Sequence, residues 1–329
     1  MIPGSRLRNG GPFVGFYLTA AILLLSASVS HSQSPSTSSS PAQSAITAKA
    51  ELVALPVSVT DASGNAVTGL KAQDFRIFED GHPQEISMFE EGDNPVSVGL
   101  VVDHSRSMGS KLSAVAAAVW AFAHSSNPRD EMFVVDFNDD VTVELMHGKG
   151  FTSDPGELSN AVRAVAARGR TALYDAIAEG LVHLQLANWD RKALIVVSDG
   201  GDNASQQKFP QILSLARRSQ VMIYSIVLVG DDEEENPKVL LRLSKETGGV
   251  AYSPSSVDAV TDVSKRIARD LREQYTLGFV PEKSGKSGFR KLEVKVTAPA
   301  HEKIHVRTRP GYLIGDEKQA GVAAGKSAS

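Results

Sequence analysis

The apolar residues of this chain repeat with two different periods, and the switch between them divides it. From Glu51 they alternate at Val53, Leu55, Val57 and Val59, the period of a half-buried strand. Ser63-Gly64-Asn65 then predicts a turn, Asp74 to Glu79 and Glu85 to Phe89 two short strands, and Asp80-Gly81 a hairpin between them. From Pro95 the pattern changes. Continuous apolar runs at Val96–Val102, Met132–Phe137, Leu194–Val197 and Val221–Val227 suit interior strands, with a shorter strand at Val141–Leu145. Helical stripes lie between and after them: Leu112, Val115, Ala116, Val119 and Phe122; Leu158–Val165; a helix opening at Thr171 with Leu173, Ile177, Leu181 and Leu184; Gln211–Ser219; Val239–Thr247; and Val257–Leu271. After residue 274 the period returns to two at Tyr275, Leu277 and Phe279, then Leu292, Val294 and Val296, then Ile304 and Val306.

Strands alternating with helices over residues 95–271 predict an α/β domain with a doubly wound, mostly parallel sheet of the Rossmann-like kind. The period-two segments at 50–92 and 274–314 predict a small antiparallel β module assembled from both flanks, into which the α/β domain is inserted. Two separate β additions are the alternative, although neither flank alone offers more than a few strands. Residues 31–48 are rich in Ser, Pro and Ala and predict a flexible linker, and the Ala/Gly/Lys-rich stretch 315–329 a disordered tail.

Composition narrows the chemistry. With 42% hydrophobic residues in 329, the chain is globular. It has no cysteine, which excludes disulfides, thiolate metal sites and a cysteine nucleophile. Residues 1–30 carry Arg6 and Arg8 and no acid, so removing them takes the formal charge from −4 to −6, a balance unsuited to nucleic acid. Those same residues place the two arginines before an uncharged stretch from Gly10 to Ser30, centred on Ala20-Ala21-Ile22-Leu23-Leu24-Leu25 and followed by Ser28-Val29-Ser30. That layout predicts a secretory signal peptide and a periplasmic or extracellular protein without membrane insertion after cleavage; an uncleaved anchor is the alternative.

Two of the interior runs end on carboxylates. Asp103-His104-Ser105-Arg106-Ser107 follows the run 96–102, and Asp199 follows Leu194–Val197. In an open parallel sheet both lie at the carboxyl edge, where such sheets bind ligands. A hard divalent cation takes octahedral oxygen ligands, and the hydroxyls of Ser105, Ser107 and Thr171 with the carboxylates of Asp103 and Asp199 could supply them. A cation held largely by neutral oxygens keeps positive charge for an outside carboxylate.

The segments Asp103-His104-Ser105-Arg106-Ser107-Met108, Gly169-Arg170-Thr171-Ala172-Leu173-Tyr174-Asp175-Ala176 and Val196-Val197-Ser198-Asp199-Gly200-Gly201-Asp202-Asn203 resemble the metal-ion-dependent adhesion site of von Willebrand factor A domains. The likeness runs from about Pro95 to Leu271. It implies metal ligation by Asp103, Ser105, Ser107, Thr171 and Asp199, with Mg²⁺, or Mn²⁺ or Ca²⁺, as the ion. Val57-Ser58-Val59-Thr60-Asp61 and Gly69 to Gly81 likewise resemble the opening of exported bacterial proteins described only as von Willebrand factor A-related.

Neighbouring polar residues read more plainly. Asp175 and Asp202 suit a helix face and a loop rather than the ligand set, and His104 and Arg106 suit solvated loop positions, with steering of an acidic partner from the rim as the alternative. His301-Glu302-Lys303-Ile304-His305 matches the zinc-protease pattern, but it feeds a strand, where residues four apart stand about 13 Å apart and cannot share one zinc. Asp231 to Glu235 suits a solvated acidic loop, Asn203-Ala204-Ser205 is a formal glycosylation sequon, and neither a phosphate-binding loop nor a nucleophile elbow is present in the sequence. The functional expectation is a non-enzymatic module that binds an Asp or Glu carboxylate of a protein partner through the metal. A scaffold in which the metal only stabilises loops is the first alternative, and a metallohydrolase the second.

Overall fold

The computed structural model describes residues 52–144, 150–229, 235–281, 287–298 and 303–314. The segments expected to be a signal peptide, a linker and a tail, most of the acidic run, and His301 and Glu302 lie outside them.

Strand β5, Ser97–Asp103, is buried along its whole length because it sits at the centre of a six-stranded sheet with helices on both faces. It pairs in parallel with β6 (Glu131–Phe137) on one side and β8 (Lys192–Ser198) on the other. The sheet continues through β9 (Met222–Val227) to β10 (Ala251–Tyr252), and beyond β6 to β7 (Val141–Glu144), its one antiparallel strand. Alternation along β5 sends Val98, Leu100 and Val102 to one face, where they pack on α1 (Leu112–Ser125), α2 (Pro155–Ala164) and α6 (Val260–Arg272). Val101, with Phe133 and Val135 of β6, packs the opposite face against α3 (Leu173–His183), α4 (Phe209–Arg218) and α5 (Pro237–Thr247). This is the doubly wound, mostly parallel α/β domain predicted from the alternation of periods. Strand order reverses direction between β8 and β5, which makes their carboxyl ends a topological switch point.

The flanking segments pair with each other. Strand β1 (Val53–Asp61) lies between β11 (Tyr275–Phe279) and β13 (Ile304–Arg307), with Leu55 opposite Leu277 and Ser58 opposite Arg307, and β4 (Met88–Glu90) completes that sheet. In a second antiparallel sheet β12 (Gly288–Val296) joins β2 (Phe75–Glu79) to β14 (Gly311–Ile314), with β3 (His82–Gln84) at the edge. Val53, Leu55, Val57, Phe75, Ile77, Tyr275, Leu277, Phe279, Leu292 and Val294 form their shared core. Of the strand expected at Glu85–Phe89 only Met88 and Phe89 are in a strand, β4, while Glu85–Ser87 link it to β3. The turn Asp80-Gly81, with φ of 48° and 85°, returns the chain at once as β3, and the chain then crosses to the other sheet as β4.

Two arginines after β12 fasten these sheets to the α/β domain. Arg307 pairs with Asp270 of α6, donates to Ser58 Oγ (2.7 Å) and reaches the carbonyl of Gly248 at the end of α5. Asp270 also accepts from Tyr224 Oη (2.5 Å) and Ser58 Oγ (2.9 Å). Arg309 is buried and donates to the carbonyls of Ser219 (2.8 Å), Arg217 (3.1 Å) and Ala216 (3.4 Å) at the end of α4, the last of which also accepts the Ser219 hydroxyl (2.9 Å). Its burial lowers the guanidinium pKa to about 10.

Removing residues 274–329 takes away both neighbours of β1 and half of the β core. The truncated protein is expected to aggregate, checked by size-exclusion chromatography; a soluble monomer with residues 52–92 protected from proteolysis would contradict the shared sheets. Arg309→Ala takes the guanidinium donor from the Arg217 and Ser219 carbonyls at the end of α4 and is expected to cost about 3 kcal/mol in urea unfolding.

Candidate functional site

The polar cluster at the switch point begins where β5 ends. Asp103 has no exposed surface. Its Oδ1 accepts the Ser105 N–H (2.8 Å), and its Oδ2 accepts the hydroxyl of Ser198, the last residue of β8 (2.7 Å). Ser107 donates its hydroxyl proton to Asp199 Oδ2 (2.8 Å), so in the 3.1 Å contact between the two serines Ser105 is the donor. Asp103, Ser105, Ser107 and Asp199 therefore stand in one hydrogen-bonded chain linking the ends of two adjacent strands. Burial pushes the Asp103 carboxyl up to about 6, the negative charge of Asp199 adds to that rise, and the bonds from Ser105 and Ser198 oppose it.

Asp199 is aimed by its own loop. Its Oδ1 accepts the Gly201 N–H (2.9 Å), and Gly200 takes φ 87°. A Cβ on Gly200 would lie 2.4 Å from the carbonyl oxygen of Asn236, just ahead of α5, so the close approach as well as the left-handed backbone requires glycine.

Thr171 joins the cluster through its main chain. Its N–H donates to Asn203 Oδ1 (2.9 Å), and its carbonyl accepts from the N–H groups of Asn203 and Ala204 (3.0 and 3.1 Å). The stretch before it is bonded to the serine loop, Arg168 N–H to the His104 carbonyl (2.8 Å) and Arg106 N–H to the Gly169 carbonyl (3.4 Å). The three segments singled out in the sequence thus brace one another at one edge of the sheet.

Asp202 and Asp175 serve the backbone. Asp202 Oδ1 accepts the Tyr174 N–H at the start of α3 (3.2 Å) and the Ser205 hydroxyl (2.5 Å), and burial raises its pKa. Asp175 accepts the N–H groups of Gln206 (2.7 Å) and Gln207 (3.0 Å). Asn203, the sequon asparagine, is occupied with Thr171.

His104 departs from the sequence expectation. It is not solvated but fully buried, its Nδ1 3.0 Å from the Asp136 carboxylate and 3.2 Å from the Val102 carbonyl, its Nε2 2.9 Å from the Val162 carbonyl. The ring ties the end of β5 to β6 and α2 because the chain turns inward after Asp103 instead of continuing the strand. Asp136 was the missed signal: an acid inside the apolar run Met132–Phe137 needs a buried partner. Ser198, the hydroxyl partner of Asp103, was missed as well. Arg106 is exposed, as expected.

Among the described residues no three His, Cys, Asp or Glu side chains converge as a metal site. The cluster at the switch point is instead two carboxylates among hydroxyls, a donor set matched to a hard cation. His305, the described histidine of the protease-like pattern, lies in β13 opposite Thr60.

Comparison with known proteins agrees with the α/β fold. Residues 98–201 match the von Willebrand factor type A domain family. No curated protein matches the chain. Among solved structures, a von Willebrand factor type A protein from Catenulispora acidiphila superposes with a TM-score of 0.50 at 13% identity, over 74% of this chain and 72% of that one. An aerotolerance-related membrane protein from Bacteroides fragilis gives 0.44 at 14% identity, over 54% of this chain and 98% of that one. The pilus adhesin SpaC from Lactobacillus rhamnosus gives 0.45 at 12% identity, over 72% and 47%. At these identities the likeness is one of fold.

His104→Ala leaves a cavity and a buried carboxylate without its imidazole, and it is expected to cost about 3 kcal/mol in urea unfolding. A change under about 0.5 kcal/mol, the size of an ordinary surface substitution, would return His104 to the role of a loop residue.

Proposed function

We propose that this chain is an exported, non-enzymatic recognition protein whose type A domain holds Mg²⁺, or Mn²⁺ or Ca²⁺, through Asp103, Ser105, Ser107, Thr171 and Asp199. The observation that carries the reading is the hydrogen-bonded chain from Asp103 through Ser105 and Ser107 to Asp199 at the switch point. Two carboxylates near enough for one to raise the pKa of the other, within a shell of neutral hydroxyls, fit a divalent cation in charge and in donor type. A cation bound there would supply a positive centre with an open position for a carboxylate oxygen of a protein partner. The protein's part is to fix the donors: Ser198 and the Ser105 N–H hold Asp103, the Gly201 N–H holds Asp199, and Asn203 holds the backbone of Thr171.

The hydrogen bonds between the three loops favour recognition over a purely stabilising role. The loops are already braced by protein groups, so a cation is not needed to order them. Export rests on Arg6 and Arg8 followed by the uncharged stretch to Ser30. Among the described residues no helix is long and apolar enough to cross a membrane.

Calorimetric titration with Mg²⁺ and Mn²⁺ tests the metal assignment. Asp103→Asn and Asp199→Asn are each expected to abolish binding. Because burial already disfavours the charged form of Asp103, Asp103→Asn is expected not to lower the stability of the metal-free protein, a combination that separates a ligand from a structural carboxylate. Cation at a hundred times its Kd should add about 2.7 kcal/mol to the stability of the unsubstituted protein. Undiminished binding in both variants would remove these residues from the site. With a bound partner in hand, Thr171→Ala and chelation by EDTA should both release it, while persistence through both treatments would move the contact to the β sheets.

A further inference from the structure

The ligand-bearing loops also carry three arginines. Arg106 stands between Ser105 and Ser107, and Arg168 and Arg170 precede Thr171; all three are exposed. The backbone bonds from Arg106 to Gly169 and from Arg168 to His104 hold their main chains side by side. Among the described residues neither Arg106 nor Arg168 has an acidic side-chain partner, although the whole chain carries a formal charge of −4. Arg170 is oriented rather than neutralised. Asp139 accepts its main-chain N–H (3.1 Å) and its Nε (2.8 Å), which leaves the two terminal amino groups to face another anion. Asp139 packs so close to Gly169 that a Cβ there would lie 1.8 Å from its Oδ2, and Gly169 takes φ 71°, so the orientation is built into the loop.

Exposed like charges carried on loops whose backbones are bonded to each other, two of them without an acidic side-chain partner among the described residues, form a local positive field that an acidic ligand complements. On the metal-binding reading above, we infer that Arg106, Arg168 and Arg170 form a basic rim that selects an acidic protein segment with several carboxylates in succession, one for the metal and the others for the arginines. The arginines are specificity residues in this scheme and do not hold the cation. Removing their charge weakens the partner without weakening the metal.

The test compares the full chain with an Arg106→Gln/Arg168→Gln variant, both loaded with Mn²⁺. The side chains replaced are exposed and the loop bonds that brace the site come from the backbone, so the fold is retained. Three probes are titrated: an oligoglutamate peptide, a Gly/Ser peptide of the same length with one glutamate, and a single-stranded DNA of matched charge. The expected result is a roughly tenfold loss of oligoglutamate affinity with a shallower salt dependence, and no loss of affinity for Mn²⁺ or for the single-glutamate peptide. Equal oligoglutamate affinity in the two proteins, or no oligoglutamate binding to either, would overturn the rim. So would DNA that binds as tightly as oligoglutamate and depends equally on the arginines, since that describes an unselective anion surface. Absence of any Mn²⁺ heat with the unsubstituted chain would show instead that the metal reading itself had failed.

Discussion

The parallel pairing of β5 with β6 and β8 is the constraint on which the rest depends. A strand with all seven residues buried has no freedom to slip, because a one-residue shift would send Val98, Leu100 and Val102 to the wrong face of the sheet. That register ends β5 at Asp103 beside the end of β8 at Ser198, and the bond between them follows from it. The carboxylate is thus placed by the most rigid part of the molecule, while the residues that face outward come from loops.

Around that fixed point the loops are held mainly by backbone bonds and by side chains turned inward. His104 reaches β6 and α2, Asp202 holds the start of α3, and Gly200 lets the Asp199 loop rest against the residue preceding α5. Each bond satisfies a backbone or buried polar group that would otherwise be costly at a strand or helix end. The electrostatic strain falls on Asp103, whose buried carboxyl is raised to about 6 with Asp199 nearby.

The β sheets show a different logic. Their core is apolar and their strands pair across more than 200 residues of sequence, but their attachment to the α/β domain is polar. Arg307 and Arg309 leave the β sheets and end on Asp270, on Gly248 and on the carbonyls at the end of α4. Such contacts fix orientation because a guanidinium must meet its acceptors in direction as well as distance, whereas an apolar interface could slide. The α/β domain is therefore attached to its flanking sheets at α4, α5 and α6, and the loops of its polar cluster lie at the carboxyl edge of the central sheet.

What the sequence determined by itself was whatever is periodic or local. Alternation at Val53, Leu55, Val57 and Val59, the apolar runs that end at Asp103 and Asp199, and the helical stripes between them follow from side-chain direction in strands and helices, so they can be read without knowing what packs on them. Asp103, Ser105 and Ser107 could be grouped because they lie within one turn of chain, and Asp199 because it ends a second interior strand. The tertiary structure decided the rest. His104 could not be read as buried, since its partner carbonyl at Val162 is 58 residues away and the inward turn after Asp103 leaves no periodic trace. Arg309 meets Ser219 across 90 residues, and the division of residues 82–90 between two sheets depends on which C-terminal strands arrive to pair with each part. Contacts of that kind are set by where whole elements dock, and neighbouring residues in the sequence carry no record of it.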